Sequence, residues 1–250
     1  MKIARTIAVF VLLLILWQMV CFVFAVPSYI LPKPIEVARE LIKDPLGLLK
    51  HFSLTFFESL IGLFLAWLFA ICAAFLIFIV PKLEESLLPL IVGFKAIPLV
   101  ALAPLVILWF GNGFLSKSVM AATICFFPLV VGYLKGFRSC TDDEVLFLRN
   151  LELSRTEELF RFRLMKATPF WLAGLRVASV LAVVGAIVAE FSGANAGLGY
   201  IVIISAVRID TPLLMVGILL SAICGIALYV IAIGIESALL KRMQMEPLPE

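Results

Sequence analysis

Residues 54–80 read LTFFESLIGLFLAWLFAICAAFLIFIV, and Glu58 is the single charged residue among them. About 20 apolar residues, rising about 1.5 Å each, cross the roughly 30 Å hydrocarbon core of a bilayer as a helix. The stretch therefore predicts a membrane-spanning helix. The whole chain agrees, with 64% hydrophobic and 15% charged residues, where a soluble domain carries about 25% charged residues. This composition excludes a disordered protein, a secreted disulfide scaffold and a nucleic-acid-binding domain.

The same length criterion divides the chain into six predicted spans. They run over about Ile7–Val26, Leu54–Val80, Leu87–Phe110, Ser118–Leu134, Phe170–Val188 and Leu213–Leu240. A charged stretch of helical residues lies between the fourth and fifth spans and is too polar to cross the membrane. We therefore predict an all-α polytopic membrane protein in which residues 1–250 form a single transmembrane domain with a charged loop at about 138–168.

The basic residues predict the orientation, because cytoplasmic loops carry an excess of lysine and arginine. With the N-terminus inside, the inner segments hold twelve basic residues and the outer segments hold six, Lys117 among them. This bias favours a multi-pass protein of the inner membrane with both termini and the 138–168 loop in the cytoplasm.

The charged loop has the pattern of two short helices. Thr141 precedes three acidic residues, which favours an N-cap followed by negative charge at a helix start. Ser154 and Glu157 form a Ser-x-x-Glu capping box for a second helix. Two interpretations remain open from spacing alone: an element that docks into a groove of a soluble partner, or a solvated loop stiffened by pairs such as Glu157 with Arg161.

Three collinear stretches carry a resemblance over nearly the whole chain. The first comprises Leu31–Pro34, Val37, His51 and Leu60–Gly62. The second comprises Ile97, Pro98, Ala101, Ala103–Leu105, Leu108–Gly111, Gly113, Ser116, Lys117 and Phe126–Pro128. The third comprises Leu151, Pro169, Gly174–Arg176, Ala189, Glu190, Gly197–Tyr200 and Thr211. In this order they resemble the permease subunit of ATP-binding-cassette importers of the nitrate/sulfonate/taurine type.

The resemblance implies a type I importer permease that moves a small solute inward by alternating access. Its partners would be a separate ATPase subunit, an extracytoplasmic solute-binding protein, a second permease subunit and the lipid bilayer. The chain itself would then be no enzyme and would hold no cofactor, metal or nucleic acid. The ATPase-coupling contacts would lie in the charged loop, at Leu151, Glu152, Leu153, Ser154, Arg155, Glu158 and Arg161.

This chain departs from the family pattern where coupling is made. The family's loop has a glutamate where this chain has Leu146, a glycine where it has Glu152, and a proline where it has Met165, whereas Ser154 and Pro169 fit. Glycine allows a tight turn between two helices, so Glu152 raises the conformational cost of that turn. The departure leaves two alternatives open. Either the partner ATPase has adapted to this loop, which also fits a homodimer, or the chain forms a heterodimer with a second, regular permease.

Four residues are candidates for the translocation path. Lys95, Pro98 and Pro104 interrupt the third span, and Glu190 ends the fifth. A cation in a broken helix attracts an anionic solute, and freed backbone carbonyls can line a cavity. The alternatives are that Lys95 snorkels to the cytoplasmic surface, that the prolines serve helix packing, and that Glu190 is structural.

Other functional classes fit less well. A secondary transporter usually shows internal repeats, and we find none that is convincing. An intramembrane enzyme lacks its groups, since His51 is the only histidine and every aspartate falls in a predicted loop. A non-transport membrane scaffold with a degenerate coupling loop remains an alternative.

Overall fold

The computed structural model describes residues 2–80 and 97–245, with positions 83, 89 and 93 between these ranges. The described secondary structure is helical, which confirms the predicted all-α class. The helices are α1 (Lys2–Val23), α2 (Pro34–Lys43), α3 (Pro45–Ile79), α4 (Leu99–Phe110), α5 (Phe114–Phe137), α6 (Asp142–Asn150), α7 (Arg155–Glu158), a π-helical segment (Leu159–Arg163), α8 (Leu164–Lys166), α9 (Thr168–Phe191), α10 (Leu198–Arg208) and α11 (Thr211–Met243).

Among the residues that the structure describes, four helices are long and apolar enough to cross a membrane: α3, α5, α9 and α11. Helices α5, α9 and α11 contain the fourth, fifth and sixth predicted spans and extend beyond them at both ends. Helix α3 corresponds to the second predicted span, starts earlier and ends at Ile79, one residue before the predicted end. Shorter apolar helices cover Val11–Val23 within α1 and Leu99–Phe110. The first half of the predicted third span lies outside the described residues.

Helix α3 begins nine residues before its predicted span because local capping extends it into polar sequence. The carboxylate of Asp44 accepts the Gly47 backbone N–H at 2.9 Å, and Pro45 occupies the first helical position, where no backbone donor is needed. Hydropathy alone starts the span at the first continuous apolar run and misses this extension.

Helix α10 is a short helix that hydropathy did not indicate. It starts after Gly197, at φ 115°, and ends at Arg208; the next residue, Ile209, adopts a left-handed conformation at φ 57°. Leu198, Ile201 and Ser205 face inward at helical spacing. With only 11 residues, between a glycine-containing turn and the turn at Ile209, it is too short to register as a span.

The bundle centres on α5, which packs against α3 on one side and α9 on the other. Small residues bring the backbones close together, as is typical of membrane helices. A Cβ added to Gly62 of α3 would lie 2.5 Å from the Ala121 Cβ, and one added to Gly185 of α9 would lie 2.6 Å from the Ala121 Cα. Farther along, Arg176 of α9 pairs with Glu236 of α11 at 3.1 Å. These contacts make α3, α5, α9 and α11 one packed unit.

Candidate transport and coupling sites

The charged loop folds into a helical hairpin, α6 to α8, hereafter the hairpin (residues 142–166). Glu144 accepts the Thr141 backbone N–H at 2.7 Å, and the Thr141 hydroxyl accepts the Glu144 N–H at 3.4 Å. Ser154 and Glu157 make the second reciprocal box, with Glu157 accepting the Ser154 N–H at 3.0 Å. Both predicted caps are confirmed. Because Glu157 accepts these donors from Ser154, its carboxyl pKa lies below the usual value.

Glu152 forms the turn between the two halves of the hairpin. Its φ is 50°, in the left-handed region that a side chain disfavours by about 1–2 kcal/mol. The family's glycine would adopt this conformation without that cost. The predicted strain at Glu152 is therefore present in the turn.

One arginine fixes the hairpin to the membrane helices. Arg163 Nε donates to Glu158 at 2.6 Å, and its guanidinium also donates to the Phe137 carbonyl at the end of α5. The guanidinium carbon lies 4.9 Å from the centre of the Phe78 ring at the end of α3. Leu159, next to this contact, is fully buried. We call Arg163 with Glu158, Phe137 and Phe78 the arginine latch.

The two halves of the hairpin are also joined to each other. Lys166 forms an ion pair with Glu144, which lowers the pKa of that carboxyl. The rings of Phe147 and Phe162 meet edge to face with centroids 6.4 Å apart. The hairpin is therefore a structured element with its own internal contacts.

The residues predicted to contact an ATPase are mostly free to do so. Five are exposed and two are partly buried. The exposed ones are Leu151, Glu152, Ser154, Arg155 and Arg161; the partly buried ones are Leu153 and Glu158. Glu158 is held in the arginine latch. Leu146, at the family's glutamate position, presents an exposed apolar side chain beside the exposed Phe147.

A groove of about 1300 Å³ opens between α3, α4, α5 and α9. Its described lining is mainly apolar and aromatic, with Thr123 and Lys135 as polar exceptions. The lining includes Ile97, Leu99 and Leu102. It does not include the predicted path residues Pro98, Pro104 and Glu190. Lys95 lies outside the described residues. No group of three or more metal-ligating side chains occurs among the residues that the structure describes.

Glu190 instead lies in a buried polar cluster at the N-terminus of α10. Three backbone donors at the start of α10 bind side chains from other helices. Gly197 N–H donates to His51 Nδ1 at 2.9 Å, and Leu198 N–H donates to the Thr55 hydroxyl at 2.8 Å. Gly199 N–H donates to Glu190. The separate segments quoted for the resemblance, His51, Glu190 and Gly197–Tyr200, thus meet at one place.

The cluster extends to the turn before α5. Lys117 donates to the side-chain oxygen of Asn112, and the Asn112 amide donates to the Gly193 carbonyl beyond α9. Lys117 was counted among the basic residues of the outer loops, but helix α5 starts at Phe114 and buries it. Hydropathy could not find this cluster, because its members come from four segments of the chain.

Comparisons with known proteins assign the class. Residues 62–245 match the family of binding-protein-dependent transport system inner membrane components. A probable ABC transporter permease protein of Haemophilus influenzae is 35% identical over 217 residues, covering 87% of this chain and 89% of that protein. The formylaminopyrimidine transport permease protein ThiX of Halalkalibacterium halodurans is 31% identical, covering 92% of both chains. The riboflavin transport system permease protein RibX of Chloroflexus aurantiacus is 34% identical, covering 93% of this chain and 87% of that protein.

The chain therefore belongs to the family of binding-protein-dependent inner membrane permeases. It is the membrane-spanning permease subunit of an ABC importer for a small solute and a multi-pass inner-membrane protein. The relatives that it matches are named as transport permeases. Family membership also implies, in general, an ATPase and a solute-binding protein as partners. The secondary-transporter and intramembrane-enzyme alternatives are thereby set aside.

Proposed function

We propose that the hairpin is the docking element for a separate ATPase subunit, with the hairpin and both termini in the cytoplasm. The support is its geometry: a capped, internally paired hairpin, latched to α3 and α5, with exposed residues at its turn. The contact residues are Leu151, Glu152, Leu153, Ser154, Arg155, Glu158 and Arg161. The basic-residue bias of the loops supports this orientation.

We propose that the single transmembrane domain of residues 1–250 acts as one half of a paired permease. The open groove beside α5 supports a second subunit or solute on that side of the bundle. A copy of this chain and a regular permease subunit are both suitable partners. If the partner is a second copy, cross-linking of purified protein yields a homodimer; if it is a regular permease, copurification yields a second membrane subunit.

Charge reversal at the exposed hairpin arginines tests the docking. In proteoliposomes containing ATPase and binding protein, Arg155→Glu and Arg161→Glu should each abolish most ATP-driven uptake, because both side chains face away from the bundle. Arg39→Glu, an exposed arginine on α2, is the matched control and should transport normally. Copurification of the ATPase should fail with the hairpin variants only. Normal uptake by both would overturn the proposed docking surface.

We infer that the solute is a small heterocyclic molecule. The groove supports this, since aromatic residues such as Phe69, Phe126 and Phe170 line it and planar rings stack on aromatic faces. Two of the similar permeases are named for formylaminopyrimidine and riboflavin. We expect pyrimidines or flavins to compete with the solute for uptake, and taurine and nitrate not to compete. Efficient taurine uptake would overturn it.

The path residues Lys95, Pro98, Pro104 and Glu190 remain predictions. Lys95→Met should reduce uptake if the residue faces the path and the solute carries negative charge. Unchanged uptake kinetics would favour the alternative in which the Lys95 amine snorkels to the membrane surface.

A further inference from the structure

Three ionisable side chains from three different spans are buried together next to the start of α10. Glu58 of α3 is 2% exposed, Lys117 of α5 is 3% exposed and Glu190 of α9 is 0% exposed. Burial of an unpaired charge costs several kcal/mol, so the net charge of such a group is strongly constrained. If both carboxyl groups were ionised, the three would carry a net negative charge inside the bundle.

Glu190 has the hydrogen-bond donors of an ionised carboxylate. Its Oε1 accepts the Thr55 hydroxyl at 2.6 Å, and its Oε2 accepts the Gly199 N–H at the first turn of α10. The Thr55 hydroxyl has two acceptors within reach, Glu190 Oε1 at 2.6 Å and the His51 carbonyl at 3.2 Å, and the shorter distance favours Glu190. The hydroxyl oxygen also accepts the Leu198 N–H. Each oxygen of Glu190 therefore has a donor, and the positive end of the α10 dipole adds to them.

Glu58 has the opposite surroundings. Glu58 lies three residues after Thr55 on α3, on the side of the helix where the Thr55 hydroxyl binds the Glu190 carboxyl. Its own buried Oε2 has no partner among the described residues. An ionised carboxylate only accepts hydrogen bonds. Two neighbouring ionised carboxylates therefore have no proton to share in a hydrogen bond, and their negative charges repel each other. A carboxylic acid at Glu58 would supply the missing donor.

The remaining charges nearby are consistent with one proton on the pair. Lys117, which lies close to both carboxyl groups, is held by Asn112. With Glu58 neutral, Glu190 and Lys117 balance each other. The other titratable groups facing the pair are His51 of α3, whose Nδ1 accepts a backbone N–H, and the thiol of Cys224 of α11. His51 is neutral because its Nδ1 accepts a hydrogen bond, and the buried Cys224 thiol is also neutral.

We propose that Glu58 is a protonated carboxylic acid that donates its hydrogen bond to an ionised Glu190, and that Glu190 is the positioning residue for α10. The Glu190 carboxylate accepts three donors: the Thr55 hydroxyl, the Gly199 N–H and the Glu58 hydroxyl. It thereby joins α3, α9 and α10, while Lys117 brings in α5. The two neighbouring glutamates therefore differ in protonation: Glu58 is neutral and Glu190 is ionised.

Amide substitutions test the asymmetry, because glutamine is nearly isosteric with a carboxylic acid and can still donate. Glu58→Gln should keep the thermal midpoint of the purified protein within about 2 °C of the wild type. Glu190→Gln places an amide N–H₂ against a donor and removes the anionic acceptor, so its midpoint should fall by roughly 5–10 °C. Both measurements are made without solute, ATPase or binding protein, so they do not depend on the proposed function.

Infrared spectroscopy supplies a readout that a purely structural role would not move. At neutral pH the wild type should show the carbonyl band of a buried carboxylic acid whose proton exchanges slowly with deuterium. This band should be absent from Glu58→Gln. Because Glu58→Gln is expected to fold, this test stands even if Glu190→Gln cannot be purified. Absence of the band in the wild type, its persistence in Glu58→Gln, or an equal loss of stability in the two variants would each overturn the proposal.

Discussion

The arginine latch leads to the prediction that can be worked out furthest. In Arg163→Met the side chain keeps its length and its apolar contact with the Phe78 ring but loses the charge. The arginine is 12% exposed and its Glu158 partner 20%, so their pairing is only partly screened by water. Loss of a charged hydrogen bond costs about 1.5–3 kcal/mol and loss of a cation–π contact about 0.5–2 kcal/mol. Because these terms overlap, we expect a total of roughly 2–4 kcal/mol.

This loss falls on the attachment of the hairpin and not on the packing of the spans. At about 1.4 kcal/mol per factor of ten, the opening equilibrium of residues 155–166 should rise roughly 30- to 700-fold. Hydrogen–deuterium exchange of the purified protein measures that opening directly. Amides in the middle of α9 should exchange as in the wild type.

Arg161→Met is the matched control on the same helical segment. Its side chain is 65% exposed and its guanidinium lies 3.9 Å from the Glu157 carboxylate, so removing its charge should cost less than about 0.5 kcal/mol. Exchange in this variant should stay close to that of the wild type. If Arg163→Met exchanges no faster than Arg161→Met, the latch does not hold the hairpin.

Three further substitutions test other parts of the structure. Gly197→Ala should lower the thermal midpoint by several degrees, because the residue has φ 115° and an added Cβ would lie 2.2 Å from a Glu190 oxygen. The control Gly234→Ala should not lower it, because an added Cβ there would have no atom within 4 Å. Equal midpoints for the two variants would refute the steric reasoning. Glu152→Gly should relieve about 1 kcal/mol of backbone strain and slow exchange in the 151–154 turn about fivefold; faster exchange there would mean that chain entropy outweighs strain. Ser154→Ala should cost about 1 kcal/mol of helix stability, seen as faster exchange of the first turn of α7; no change would show that the capping box is dispensable.

Much of the fold could be predicted from the sequence because the bilayer leaves few options. Within lipid every backbone polar group must be satisfied inside its own segment, so a long apolar run such as 54–80 has to be a helix. Caps are also local: Ser154 and Glu157 are three residues apart, and their spacing alone specifies the hydrogen bonds. The start of α3 at Pro45 was missed because it depends on Asp44 and not on hydropathy.

The buried cluster could not be predicted, because its bonds join positions far apart in the chain. Thr55 and Leu198 are 143 residues apart, yet the hydroxyl of one accepts the N–H of the other. Lys117 follows a turn and precedes an apolar run, which is the pattern of an interfacial lysine. Only the packing of α3 and α9 on either side of α5 shows that it is enclosed.

The cluster and the arginine latch share helices α3 and α5, and they lie toward opposite ends of both. Helix α3 carries Glu58 and Phe78, and α5 carries Lys117 and Phe137. Helix α9 follows directly from the hairpin and ends next to Glu190. At about 1.5 Å per residue, the 24 residues of α5 extend about 36 Å, which is enough to cross the hydrocarbon core. A force on the hairpin would therefore reach α10 through packed, hydrogen-bonded helices and not through loops, so coupling should depend on the rigidity of both ends.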